Sequence, residues 1–299
     1  LATSILDVST DGLAIDISND NERGIVNGLM WAFRTFGLSL SGISSAYIMA
    51  NYGLTNAILF IGLFILLAGL LLSFFRERKT DRYLSLGTNI NTKELSPFKF
   101  KDIIILIIKT IKQKHIFLLI LFCLTSNLAS GIHFSSISYL YTNYADWESF
   151  DLTFYRSVAL YGGILAALLG GYLSDKVNSQ LIIKISHISL GFLCLLIAIH
   201  TNIIMNQFFG IGILLAFSFF NSFALTAVLS LCMKFSLSSS AASIFAIFMS
   251  TRHFSRIIGE TFAGISDGFF NLTVSSIYLI AAFFCILPLT FLCYFKPKI

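Results

Sequence analysis

Charge is scarce in this chain. Of 299 residues only 12% are charged, whereas 56% are hydrophobic and the mean hydropathy is +0.83. A soluble domain carries about twice that charged fraction, and a soluble interior at this length cannot hold so much apolar side chain. A soluble enzyme is thereby excluded. Proline is nearly absent too: three residues, beside 31 Phe, fit neither a disordered nor a collagen-like chain. Cysteine pairing is missing. Cys123, Cys194, Cys232, Cys285 and Cys293 stand singly inside apolar segments, with no C-x-x-C, and read as small packing residues rather than metal ligands or a disulfide framework. No P-loop motif occurs, and no His, Cys or paired-carboxylate cluster marks a membrane-embedded active site. Gly264-Ile265-Ser266-Asp267-Gly268 fits G-x-S-x-G only formally, because a nucleophile elbow needs a strand before it. The expectation is a protein that is not an enzyme and uses no cofactor and no metal.

What the sequence does have is apolar runs of about 20 residues, too continuous for the alternation of a β-barrel. Spans read from about Gly24 to Ala50 and from about Leu54 to Phe75. Others begin near His115, Leu152, Leu181, Ile203, Ala241 and Leu272. The more polar stretch Leu1–Ile17, with Asp7, Asp11 and Asp16, reads as the tail of a ninth. The class is an all-α membrane protein.

The basic residues divide by side. Ten lie between Arg76 and Lys114, and Arg23, Lys176, Lys184, Lys234, Lys296 and Lys298 sit at helix ends on that same side. The opposite loops carry no Lys or Arg, and Asp146, Glu148 and Asp151 make one of them acidic. Positive charge marks the cytoplasmic side, so the basic loops and the C-terminus are expected in the cytoplasm. The net charge of +5 then needs no nucleic acid, although the basic loop can meet anionic lipid head groups. Within it, Phe98–Lys114 alternates Lys with Ile and Leu, as a surface-lying helix or a solvated linker would. The loop also divides the chain: 1–75 as the remainder of one helix bundle, 76–114 as a cytoplasmic connection, and 115–299 as a six-helix bundle.

Gly170-Gly171-Tyr172-Leu173-Ser174-Asp175-Lys176-Val177-Asn178 ends one span. It resembles the G-x-L-S/A-D-R/K-x-G-R-R/K signature in cytoplasmic loops of the major facilitator superfamily of secondary transporters. It departs from that signature at Asn178, Ser179 and Gln180, where the family has Gly and two basic residues. Gly171 permits close helix approach, Asp175 can meet a helix N-terminus or an arginine, Lys176 anchors the loop, and Asn178 tolerates a left-handed turn. The start of the chain, Asp7-Val8-Ser9-Thr10-Asp11-Gly12 followed by Asn21-Glu22-Arg23-Gly24, is similar to the branch holding muropeptide permeases, acetyl-CoA transporters and folate–biopterin transporters. The resemblance implies a major facilitator fold, with about 9 of 12 transmembrane helices present (part of helix 4 through helix 12) in a fragment lacking its N-terminal part. Segments around Arg34 and Arg252 overlay at the spacing of parallel six-helix repeats. Gly163, Ala167 and Gly171, and likewise Gly37, Ser41 and Ser45, recur every four residues as close-packing stripes.

Four arginines lie inside predicted spans: Arg34, Arg156, Arg252 and Arg256. Each costs about 3 kcal/mol at a helix centre, so each should face a wet cavity or a partner. Arg252, Arg256 and Glu260 step by four along one helix face, as do Asp7 and Asp11, while His253 points away. The expectation is an anionic substrate held by Arg34, Arg156, Arg252 and Arg256, with proton coupling at Asp7, Asp11 or Glu260. The alternatives are a structural Arg256–Glu260 pair, and an Arg156 that snorkels to the head groups. The resemblance implies alternating access by a monomeric proton symporter of a muropeptide-, nucleotide-conjugate- or pterin-like anion, in the plasma (inner) membrane if bacterial. The competing reading is a non-transporting protein of the same fold, a sensor or pigment-assembly component.

Overall fold

In hydrocarbon every backbone polar group must be satisfied internally, so continuous apolar runs of this length have to be helical. The computed structural model describes residues 9–15, 18–19, 22–74, 105, 108–236, 241–268 and 272–294. Among these residues the long helices are α1 (Arg23–Tyr52), α2 (Leu54–Leu72), α3 (Lys114–Ser126), α4 (Leu128–Ser138), α5 (Ser149–Leu173), α6 (Ser179–Ile199), α7 (Gln207–Phe235), α8 (Ala241–Gly268) and α9 (Val274–Tyr294). Only Asn127 separates α3 from α4, and with the π-helical turn Tyr139–Tyr144 they form one span. The described residues thus hold eight spans at the positions the apolar runs indicate, and no strand. Asp7 and most of the basic segment 76–114 lie outside the described residues.

By length and composition alone, five stretches can cross a membrane: Leu54–Leu72, Lys114–Tyr144, Ser149–Ile199, Gln207–Phe235 and Val274–Leu292. The 51-residue Ser149–Ile199 contains both α5 and α6. Two helices, α1 and α8, fall outside that set because Arg23, Asn27 and Arg34, and Arg252, His253, Arg256 and Glu260, make them more polar. These helices carry Arg34, Arg252 and Arg256, while Arg156 stands on α5.

Helix α1 lies along α5, which backs onto α7; α6 packs between α7 and α9, and α8 crosses α3 and α4. Of α2 only Ala57 is buried, so its Leu, Ile and Phe side chains are left to face lipid. Gly53, at φ 84°, makes the one-residue turn between α1 and α2, a conformation that penalises any residue with a Cβ.

Two apolar cores are stacked along the spans. Ile116, Phe122, Ile183, Val228, Met233 and Phe248 belong to the core at the basic end. Ile132, Tyr141, Ile197, Phe217, Tyr278 and Ala281 belong to the other. Between them, at mid-depth, the chain supplies polar residues: Asn127, Ser130, Asn221, Arg252 and Ser255. Ser130 Oγ donates to Asn221 Oδ1 at 2.9 Å, and the Asn127 amide at the α3–α4 break donates to Ser255 Oγ at 3.3 Å. Asn127 Nδ2 adds a bond to the Arg252 carbonyl at 3.4 Å. A helix interruption at membrane depth has to re-satisfy its backbone in this way.

Glycine decides where backbones touch. A Cβ on Gly171 would collide with the Gly24 carbonyl oxygen and stand 2.9 Å from the Gly28 Cα. Ala167 and Gly163 extend that stripe, Ala167 against Gly28 and Gly163 against Ser218 and Ser222 of α7. The second expected stripe is corrected: a Cβ on Gly37 would meet nothing within 4 Å and Ser41 is exposed. Helix α1 instead meets α5 through Gly24, Gly28, Ser39 and Gly42, with Ser39 Oγ donating to the Ser157 carbonyl at 2.7 Å. The contacting residues step by 4, 11 and 3, which keeps them on one helix face without the four-residue period that the expected stripe follows.

Candidate functional site

The mid-depth site grows from the crossing of α4 and α8. A Cβ on Gly131 would strike the Arg256 carbonyl and lie 3.0 Å from the Glu260 nitrogen. On the facing helix, a Cβ on Gly259 would strike the Leu128 carbonyl. With the backbones this close, Phe134, one turn beyond Gly131, and Arg256 come together. The Arg256 guanidinium sits 4.1 Å from the Phe134 ring centroid, and the Arg156 guanidinium, brought by α5, sits 5.2 Å from the same centroid. Arg256 Nε donates to Glu260 Oε1 at 2.7 Å, with both side chains about one-third exposed (39% and 33%). Phe134 is 51% exposed. Two cations, one carboxylate and an open aromatic face therefore form a group of net charge +1, which favours an anion with an apolar body.

Of the expected site residues, Arg156, Arg256 and Glu260 are brought together, and the other two intramembrane arginines are not. Arg34 is exposed on α1, its guanidinium 5.2 Å from the Trp31 ring centroid. Arg252 is buried between the two cores, 7% exposed, with Nε lacking a hydrogen-bond partner, so the shared face of α8 splits into two environments. Arg34 and Arg252, overlaid in the repeat, accordingly differ in surroundings. Asp11 is half-buried in the short helical segment 9–15. His253 is exposed, on the side away from Arg252.

Sequence reading missed Phe134, Ser130, Asn221 and the buried pair of His133 and Tyr278. His133 Nδ1 and the Tyr278 hydroxyl are 3.0 Å apart, and the imidazole stacks on Phe217 with ring centroids 3.5 Å apart. The available signal was a polar run, Asn127 to Ser138, inside an otherwise apolar span.

A second constellation lies at the basic end. Helix α1 begins without a capping side chain of its own and with no acidic residue in its first turn, which leaves its first N–H groups unsatisfied. Asp175, carried on the π-helical turn Ser174–Asn178 after α5, supplies what is missing. The Gly24 amide donates to its Oδ1 at 2.9 Å and the Ile25 amide to its Oδ2 at 2.8 Å. One carboxylate thus caps a helix 150 residues distant and also meets the positive end of its dipole. Lys234 Nζ stands 3.7 Å from Asp175 Oδ1 and donates to the Ser174 carbonyl at 3.4 Å. The Asp175 side chain is 3% exposed, whereas Lys176 is exposed and takes no part.

The left-handed turn expected at Asn178 does not form. Asn178 is extended, with φ −172°, and its side chain caps α6 by accepting from the Gln180 amide at 2.8 Å. The residue that replaces the signature's Gly therefore starts a helix, a role at which Asn excels. Ser266 lies inside α8, its hydroxyl donating to the Ala263 carbonyl, which removes the nucleophile-elbow reading of 264–268.

Comparison with known proteins adds one match. The family model described as Major Facilitator Superfamily fits residues 1–260. No curated protein matches the chain.

Proposed function

The chain belongs to the Major Facilitator Superfamily, and from that premise we propose that it is a proton-coupled importer of an anionic small molecule, working by alternating access. That it is a multi-pass membrane protein of a transporter family follows from its apolar helices and the family match. The cargo's charge and the coupling are the proposal. One observation carries both: Arg156 and Arg256 converge on Phe134 while Arg256 is held by Glu260.

Substrate and Glu260 would then compete for one guanidinium. An anion that takes Arg256 leaves Glu260 without its counter-charge at membrane depth, where an unpaired carboxylate is costly. Proton uptake thus accompanies substrate binding, and each releases with the other. Arg156 is the permanent anchor and Phe134 the platform for the apolar part of the cargo. Arg34 is the contribution of the α1–α2 group, Asp7 and Asp11 are further candidate proton carriers, and Arg252 would join only after leaving its buried position.

The Asp175 clasp, with Gly171 at the backbone contact, would close the basic side, which the distribution of Lys and Arg assigns to the cytoplasm. It would open when α1 parts from α5. Cargo of muropeptide, nucleotide-conjugate or pterin type fits a site with net charge +1 and an exposed ring.

The test uses full-length protein in proteoliposomes with a labelled muropeptide, nucleotide conjugate and pterin. Counterflow of one of them is expected, lost in Arg156→Ala and Arg256→Ala at normal protein levels. Glu260→Gln should keep counterflow yet lose accumulation driven by a pH gradient. Unchanged uptake in both arginine variants would sink the site, and gradient-driven accumulation by Glu260→Gln would sink the coupling role.

A further inference from the structure

Helices α1 and α5 pack closely at the basic end and part at the other. At Gly42 they still meet, since a Cβ there would strike the Ser157 hydroxyl oxygen. Farther from the basic end, Ile43, Tyr47 and Ile48 of α1 face Phe150 and Phe154 of α5 across a groove of about 430 Å³. Phe60 of α2 lines a third side, because the turn at Gly53 folds α2 back along α1. The Phe150 and Phe154 rings lie nearly parallel, at 16° with centroids 6.4 Å apart, and form one aromatic wall. Water is poorly matched to this space, because an ordered water needs about two to four polar partners. Ser44, also on the lining, donates its hydroxyl to the Leu40 carbonyl of its own helix at 2.7 Å. Left empty, the groove would forfeit dispersion contacts along three helices.

The charge beside the groove is of one sign. Phe150 stands between Glu148 and Asp151 where α5 begins, and Asp146 precedes them. The loops at this end carry no Lys or Arg. Among the described residues none of the three carboxylates is in an ion pair. Arg156, the arginine of α5, is turned to Phe134. We propose that this groove is a lipid site, holding one acyl chain of a phospholipid whose headgroup carries a primary ammonium. The chain lies along Phe150 and Phe154, and the ammonium meets Glu148 and Asp151. A primary ammonium is attracted by these carboxylates, whereas an anionic headgroup is repelled. The lipid would wedge the parted ends of α1 and α5, while Asp175 joins the same two helices at the basic end. Lipid capture here needs no cargo and no transport.

The experiment places full-length protein in nanodiscs containing phosphatidylethanolamine or phosphatidylglycerol with a diazirine on the acyl chain. After irradiation, labelled peptides are mapped by mass spectrometry. Label from the ethanolamine lipid should concentrate on 43–48 and 150–154, above the level on Leu63–Leu67, an open lipid-facing surface of α2. At the groove it should exceed label from the glycerol lipid by roughly fivefold. Glu148→Gln together with Asp151→Asn should bring the two lipids level and leave label on 63–67 unchanged. Ser44→Phe, which fills the groove, should remove the excess with either lipid. Label spread evenly over the groove and α2 would overturn the site, and equal label from both lipids in the unsubstituted protein would overturn the headgroup preference. A groove that neither lipid labels would mean that protein covers it, which overturns the proposal as well. Both decisive comparisons use the unsubstituted protein, so they stand even where a variant does not fold.

Discussion

Two pairs of helices in this protein touch backbone to backbone through glycine, and they end differently. At the α1–α5 contact Gly24, Gly28 and Gly171 bring the chains together, and the contact finishes in a carboxylate buried to 3% exposure with every oxygen engaged. At the α4–α8 contact Gly131 and Gly259 do the same, yet the result is a half-open group of Arg156, Phe134, Arg256 and Glu260. The first arrangement satisfies its charge internally and closes. The second leaves one positive charge and an aromatic face unspent. Close backbone approach is therefore a neutral device in lipid, where packing drives association, and the residues one turn beyond it decide whether the contact closes or stays half-open.

The largest effect should come from filling either contact. Gly171→Leu and Gly131→Leu each drive side-chain atoms into a facing carbonyl, Gly24 in one case and Arg256 in the other. Overpacking costs up to about 3 kcal/mol, here with backbone that cannot yield, and should lower the apparent Tm in detergent by roughly 6–12 °C. Gly37→Leu is the control, since a Cβ there would meet nothing within 4 Å, and it should lose no stability because Leu exceeds Gly in helix propensity by up to about 1 kcal/mol. Similar losses at all three positions would show that the glycines act through composition and not contact.

How far the sequence exposes these contacts depends on how local their residues are. The spans and their order follow from apolar runs alone, and the Gly171–Asp175 motif is contiguous, so it could be read. Its partner could not: Gly24 and Ile25 offer only amides, which no residue pattern displays, from 150 positions away. Arg156, Arg256 and Glu260 announce themselves as charges in apolar runs, whereas Phe134 is one of 31 phenylalanines and becomes distinct only when two guanidiniums arrive over its ring. The burial of Arg252 was not legible, because helical spacing gives the face of a residue but not how deeply the neighbouring helix covers it.

Removing one charge from each contact should sharpen the difference. Asp175→Asn keeps the shape but gives up the charge facing the α1 N-terminus and Lys234, at a cost of about 1–2 kcal/mol. Hydrogen exchange at the Gly24 and Ile25 amides should rise, and the apparent Tm should fall by a few degrees. Glu260→Gln removes a one-third-exposed partner whose pairing is worth less than about 1 kcal/mol. Its Tm should hardly move, and its consequence should appear in proton coupling instead. A larger stability loss in Glu260→Gln than in Asp175→Asn would reverse the assignment of clasp and site.

The smallest effect tests the open ring itself. Phe134→Leu keeps an apolar side chain of similar reach but removes the π face 4.1 Å from Arg256 and 5.2 Å from Arg156. Cation–π attraction at such partly exposed sites is worth about 0.5–1 kcal/mol, so affinity for an anion at these arginines should weaken about two- to fivefold. Stability should not change, because the ring is 51% exposed and its burial contributes little. Freed from the ring, the two guanidiniums would also answer more strongly to salt, since surrounding ions can then screen them. A Phe134→Leu protein whose anion affinity matches the unsubstituted protein at every ionic strength would mean that the arginines act alone and that the ring only fills space between them.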